Sequence, residues 1–130
     1  MEEEHMQAIN KFMMLQIAVS DMPKAKEFYA DKLDLKITKD YRMDDENWWV
    51  ELALPEGGVH VTLTTHHDHM KPGTMTLYFA TQDIAAAHEQ LKDKGVDVSD
   101  VQDDLHGPGS GTKWFNFKDQ DGSLIHVEQA

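Results

Sequence analysis

The 130-residue chain predicts an α+β fold built from two pseudo-symmetric βαβββ modules that together form a cupped mixed sheet, and three observations carry that reading. An apolar run gives way to a helical period twice, at Ser20-Asp21 and again at Gln82-Asp83. Short alternating runs separated by glycine, proline and aspartate follow each helix. Setting Asp21 against Asp83 pairs Met22 with Ile84, Ala25 with Ala87, Glu27 with Glu89, Tyr29 with Leu91, Asp31 with Asp93 and Lys32 with Lys94. That is an internal repeat whose period is close to half the chain, so it describes two copies of one unit and not a solenoid.

The elements follow in order. Phe12 to Val19 reads as the first strand, ending where Asp21 or Ser20 can accept hydrogen bonds from first-turn amides and where Pro23 sits harmlessly in a first helical turn. In the helix that follows, Met22, Ala25, Phe28, Tyr29 and Leu33 make one buried stripe, and Lys24, Lys26, Glu27, Asp31 and Lys32 the wet face. Strands are expected at Leu35 to Lys39, Trp48 to Leu54 and Val59 to Thr65, with breaks at Asp44 to Asn47 and at the turn Pro55-Glu56-Gly57-Gly58. The second copy has a strand at Thr74 to Ala80, a helix from Ile84 ending at Gly95, a short strand at Val96 to Val101, another at Trp114 to Phe117, and the last at Leu124 to Val127 after the turn Asp119-Gln120-Asp121-Gly122. One domain over residues 12–130 results, with module 1 at about 12–65, a linker at 66–73 and module 2 at about 74–129; residues 1–11 form a polar N-terminal arm.

Composition excludes several partners. Twelve Lys+Arg stand against 24 Asp+Glu, a formal net charge of -12, and the lysines are interleaved with acids, so neither nucleic acid nor an anionic membrane surface is an expected partner. No apolar stretch approaches the roughly 20 residues of a membrane span. The MEEEH start is acidic where a signal peptide is basic, and cytoplasmic residence is expected. There is no cysteine, so disulfides, thiolate metal sites and cysteine nucleophiles are excluded.

Each sheet of a βαβββ pair has one face covered by its helix and one needing cover, and two such faces can enclose a ligand cavity between the modules. The segment LQIAVSDMPKAKEFYADKLDL resembles the opening strand and helix of the vicinal oxygen chelate superfamily, which holds glyoxalase I, bleomycin-resistance proteins and extradiol dioxygenases, and KDQDGSLIHVEQ is similar to its closing turn and strand. The resemblance runs from about Phe12 to Gln129. It implies the glyoxalase/bleomycin resistance/dihydroxybiphenyl dioxygenase fold, a homodimer, and ligating side chains from the first and last strands of each half. Carried over, the opening histidines fall on Gln16 and Thr76, the closing glutamate of the second half falls on His126, and the matching place in the first half is either His60 or Thr62.

Glutamine and threonine are poor metal ligands, and a catalytic zinc normally has three competent ligands with an open position. The expected function is therefore binding of a small organic molecule in the cup without a catalytic metal, lined by Gln16, His60, Thr62, Thr76, Trp114 and His126. The alternative is a metal-dependent lyase, isomerase or dioxygenase holding Zn, Ni, Fe or Mn through His60 and His126. Other features have blander readings. His66, His67, Asp68 and His69 match no common zinc framework and read as a solvated linker; His88 reads as a surface residue. Trp48 and Trp49 must face opposite ways, and Glu51 and Glu128 share the parity of cavity residues. The stretch His106-Gly107-Pro108-Gly109-Ser110-Gly111 lacks the lysine and helix of a phosphate loop and reads as a flap near the cavity mouth.

Overall fold

In the computed structural model, which describes residues 7–66 and 68–130, Asp21 and Asp83 start their helices in the same way. Both are extended (φ -141°), and each carboxylate accepts a hydrogen bond from the backbone N–H three residues on, Lys24 at 3.1 Å and Ala86 at 3.0 Å. The repeat is thus visible in the cap geometry itself. The elements are β1 (Met14–Ala18), α1 (Met22–Lys26) running on as a π-helical turn (Glu27–Lys32), β2 (Lys36–Asp44), β3 (Asn47–Ala53), β4 (His60–Thr64), β5 (Thr76–Thr81), α2 (Ile84–Asp93), β6 (Trp114–Lys118) and β7 (Leu124–Gln129). The first helix departs from the regular form expected. The Leu33 N–H reaches back five residues to the Phe28 carbonyl at 3.0 Å, and within this wider turn both Phe28 and Tyr29 are buried.

Module 1 is a four-stranded sheet in the order β1-β4-β3-β2, and module 2 a three-stranded sheet in the order β5-β7-β6. In each, the first and last strands pair in parallel and the others antiparallel. The strand expected at Val96 to Val101 is absent. Ser99 Oγ, not a backbone carbonyl, accepts from the Asn116 N–H at 2.9 Å, and His88 Nε2 donates to the Ser99 carbonyl at 2.8 Å, so the ladder is diverted to side chains. Only the Ser99 N–H bond to the Asn116 carbonyl and a bridge between Gln102 and Trp114 mark where the fourth strand would lie. His88 is accordingly not a free surface residue: it is half-buried, edge-on to Phe115 with ring centroids 5.1 Å apart.

One face of each sheet lies against the helices. Ile17, Val50, Leu52 and Leu63 of module 1 and Phe115 and Ile125 of module 2 are wholly buried there, each contributing on the order of 1.5–3 kcal/mol of apolar burial. The β2 edge differs: all nine of its residues are exposed, and its pairing to β3 is broken by register shifts after Ile37 and after Arg42.

Polar bonds join the modules. The Tyr29 hydroxyl, fully buried, donates to Asp119 Oδ2 at 2.7 Å, and the other oxygen of Asp119 accepts from the Asp121 and Ser123 amides at 2.9 Å each. Burial and the neighbouring Asp119 carboxylate raise the phenol's pKa, so it stays a donor. The Ser20 amide donates to Asp121 Oδ2 at 3.1 Å, and its hydroxyl donates to the same carboxylate. In the repeat-related position Gln82 Nε2 donates to Glu56 Oε1 at 3.2 Å. Gly73 of the linker has φ +81°, and a Cβ there would stand 2.2 Å from the Asp121 carbonyl oxygen, so only glycine lets the linker pass. Replacing Tyr29 with Phe removes one buried bond without changing shape and is expected to cost about 1–3 kcal/mol in urea unfolding, because Asp119 keeps a desolvated, unpaired oxygen. A loss near zero would show that the modules do not depend on this contact.

Candidate functional site

Alternation along the strands sends Leu15, Ile17, Val61 and Leu63 to the helices and leaves Gln16, His60 and Thr62 on the opposite, open face of module 1. Register aligns Met14 with His60 and Gln16 with Thr62 across β1 and β4, and Glu51 with Thr62 and Trp49 with Thr64 across β3 and β4. Trp49 therefore lies on this face while Trp48 lies on the helix side, where its Nε1 donates to Asp40 at 2.7 Å and the Arg42 guanidinium sits 4.5 Å from its ring centroid. His60 Nδ1 is 3.0 Å from Glu51 Oε1, and Thr38 Oγ1 donates to Glu51 Oε2 at 2.9 Å. These two neighbours, His60 first, hold the Glu51 carboxyl below the usual carboxylate range. Thr62 is buried and donates to the Met14 sulfur at 3.2 Å, whereas Gln16 is half-buried with no side-chain partner among the described residues.

Module 2 presents a different open face. His126 is 9% exposed and stacks on Tyr78, with centroids 4.6 Å apart and planes 10° from parallel; Trp114 leans on it from the neighbouring strand at 5.4 Å and 49°. The His126 Nδ1 atom is buried and has no hydrogen-bond partner among the described residues. Burial pushes the imidazole below its ordinary pKa, so near neutrality it is uncharged. The glycine-rich flap is fastened to this face: His106 Nε2 meets Glu128 Oε2 at 2.9 Å, and Trp114 Nε1 donates to the Asp103 carbonyl at 3.3 Å. Thr76 lies exposed on β5, aligned with Leu124.

The strand registers sharpen the correspondence between halves. Gln16 faces Thr62 as Tyr78 faces His126, and Met14 faces His60 as Thr76 faces Leu124. The repeat-related partner of Gln16 is thus Tyr78 and not Thr76, and His60 and His126 sit on different rows of their sheets. Tyr78 escaped the sequence reading, although applying the Asp21 to Asp83 offset to Gln16 points to it. Within one chain the expected cup is not closed. Three cavities between the modules, of about 390, 380 and 200 Å³, are lined by residues such as Phe28, Val96 and Asp119, or Leu15, Val61, Thr76 and Tyr78, or Leu35, Phe79 and Leu91, and by neither His60 nor His126. The open faces instead leave Trp49 at 48% and Tyr78 at 58% exposure.

The donor set among the described residues of a single chain does not fit a metal centre. Among the described residues no three His, Cys, Asp or Glu side chains come together as a metal-holding group. His60 faces a carboxylate and His126 two aromatic rings. In the linker His66 Nε2 is 3.3 Å from Asp68 Oδ2 on an exposed loop, and His67 lies outside the described residues.

The family model described as the Glyoxalase/Bleomycin resistance protein/Dioxygenase superfamily matches residues 8–127. The chain belongs to this superfamily. Among solved structures in the same superfamily fold, the chain is similar to TnmS3, an antibiotic binding protein from Streptomyces sp. CB03234, at 27% identity and a TM-score of 0.81, covering 96% of this chain and 98% of that one. It is also similar to a superfamily member from Sphaerobacter thermophilus DSM 20745, at 25% identity and a TM-score of 0.79, covering 95% and 100%. An uncharacterized Bacillus subtilis (strain 168) protein, YetH, is 28% identical over 117 residues, 87% of this chain and 92% of its own length. No helix among the described residues is long and apolar enough to cross a membrane.

Within this superfamily fold the buried His126 carries a pH signature. Its native pKa lies below the unfolded value of about 6.5, so between the two the unfolded chain binds the extra proton and stability falls as pH is lowered through that window. Urea titrations from about pH 8 to 5 should show this loss, and His126→Phe, which keeps an aromatic ring on Tyr78, should show a smaller loss than the parent. Parallel pH profiles for the two proteins would contradict the assignment.

Proposed function

We propose that the protein binds a flat organic molecule against the open faces of its modules, in the cytoplasm, without a catalytic metal, and that a second copy of the chain completes the cup. The observation that carries this reading is His126, nine-tenths buried between Tyr78 and Trp114 with an unpartnered nitrogen. Aromatic side chains already arranged as a stack suit a planar guest, and an unsatisfied buried polar atom is a rare defect in a site that nothing visits. The similarity to an antibiotic binding protein supports sequestration in place of turnover. The net charge of -12 favours a cationic or amphipathic guest through the summed field. Exposed Tyr41, Met43, Trp49 and Tyr78 support a homodimer, since together they leave more aromatic and apolar surface on the open side than a lone chain covers.

Untagged protein is expected to hold less than one metal ion per chain by elemental analysis, to scatter light as a dimer, and to show tryptophan quenching by planar aromatic amines. His126→Ala should weaken that binding by about 1–3 kcal/mol while leaving the metal content unchanged. One tightly held Zn, Ni, Fe or Mn per chain, lost on the same substitution, would overturn the reading in favour of a metal-dependent lyase, isomerase or dioxygenase.

A further inference from the structure

The seam between the modules has two ends related by the repeat, and they are not filled alike. At the first end, Phe28 and Tyr29 stand edge to face with ring centroids 5.3 Å apart, and Phe28 also meets Phe117 at 6.0 Å. The Tyr29 hydroxyl closes that end by donating to Asp119 at 2.7 Å. The offset that pairs Asp21 with Asp83 puts Gln90 in the place of Phe28 and Leu91 in the place of Tyr29. Along the closing strands, the register that matches Thr62 with His126 puts Pro55 in the place of Asp119. The same register brings together Gly58 and Gly122, both left-handed at φ +87° and +97°. Two rings and a carboxylate at the first end thus correspond to an amide, a branched alkyl group and a proline at the second.

The difference shows in the packing. Ile17, Ala25 and Tyr29 are wholly buried, whereas their counterparts Phe79, Ala87 and Leu91 are only half-buried. With Leu35, Leu54 and Phe117 these three line the cavity of about 200 Å³ on the helix side, apart from the open faces, and Pro55 and Gln90 stand exposed at its mouth. The cavity at the first end is lined instead by Asp119 and three lysines, Lys24, Lys32 and Lys118. Gln90 is the one polar side chain lining the second, so ordered water finds few partners there. Apolar cavities of roughly 150 Å³ stay dry and bind benzene. Phe79 and Phe117 add aromatic edges and faces for a ring to meet.

We propose that this second end of the seam is a binding site for a compact monocyclic arene, which fills the space that the Phe28 and Tyr29 rings fill at the first. The guest touches Leu35 and Leu54 of module 1 and Phe79 and Leu91 of module 2, so its binding fastens one module to the other.

Toluene tests this on the intact protein. Near its solubility limit it should raise the Tm by about 3 °C, because it binds the folded chain and not the unfolded one. In methyl NMR it should move the signals of Leu35, Leu54, Leu91 and Val127, while those of Leu15 and Val61, which line the neighbouring cavity, stay in place. Phenol should bind at least about tenfold more weakly, since its hydroxyl has no counterpart of Asp119 to receive it. Ala87→Leu and Leu91→Phe each fill the space with the chain's own carbon; both should match or exceed the parent's Tm without toluene, and both should abolish the rise that toluene gives. No rise in the parent, methyl shifts at Leu15 and Val61 instead, phenol binding as tightly as toluene, or a toluene response that survives both variants overturns the proposal. A Tm below the parent's in both variants also overturns it, because the seam then has no room to fill; where only one variant loses stability, the other decides.

Discussion

The buried bond from Tyr29 to Asp119 sets the relation between the two halves of the fold. The phenol comes from the π-helical turn of module 1 and the carboxylate from the tight turn before β7 of module 2. Asp119 also takes the Asp121 and Ser123 amides, so one side chain shapes the turn and receives the other module. With Ser20 on Asp121 and Gln82 on Glu56, the contacts run both ways across the repeat. This polar seam lies on the helix side and leaves the opposite faces of both sheets uncovered.

The open faces have diverged where the helix faces have not. Ile17 and Phe79, or Leu63 and Val127, play matching apolar roles, and both helices start on an equivalent aspartate. On the other side, the Gln16 and Thr62 pair in one half becomes Tyr78 and His126 in the other. One face offers an imidazole fixed by a carboxylate, the other an imidazole held between rings. The repeat keeps the scaffold, because changes in a packed core are costly, while the rows on the opposite faces differ.

Much of this was legible in the sequence, for reasons that differ by residue. Asp21 and Asp83 announce themselves because capping chemistry is local, and Trp48 and Trp49 must oppose each other because strand parity admits nothing else. The missing strand near Ser99 was not legible: Val96 and Val98 have the right alternation, but whether a backbone or a hydroxyl oxygen receives the Asn116 amide is settled only when the segments meet. The same holds for His88, whose ring finds the Ser99 carbonyl across the fold. Pairing of Glu51 with His60 needs the β3–β4 register, which is settled only when the strands meet.

The β2 edge has a consequence for how such chains avoid one another. The strand carries Lys36, Lys39 and Arg42 among its acids, and two register breaks interrupt its ladder. A free strand so charged and so irregular is a poor template for another strand, and it resists the run-on pairing that leads to fibres. Crowded copies of this protein are therefore steered away from growing through this margin.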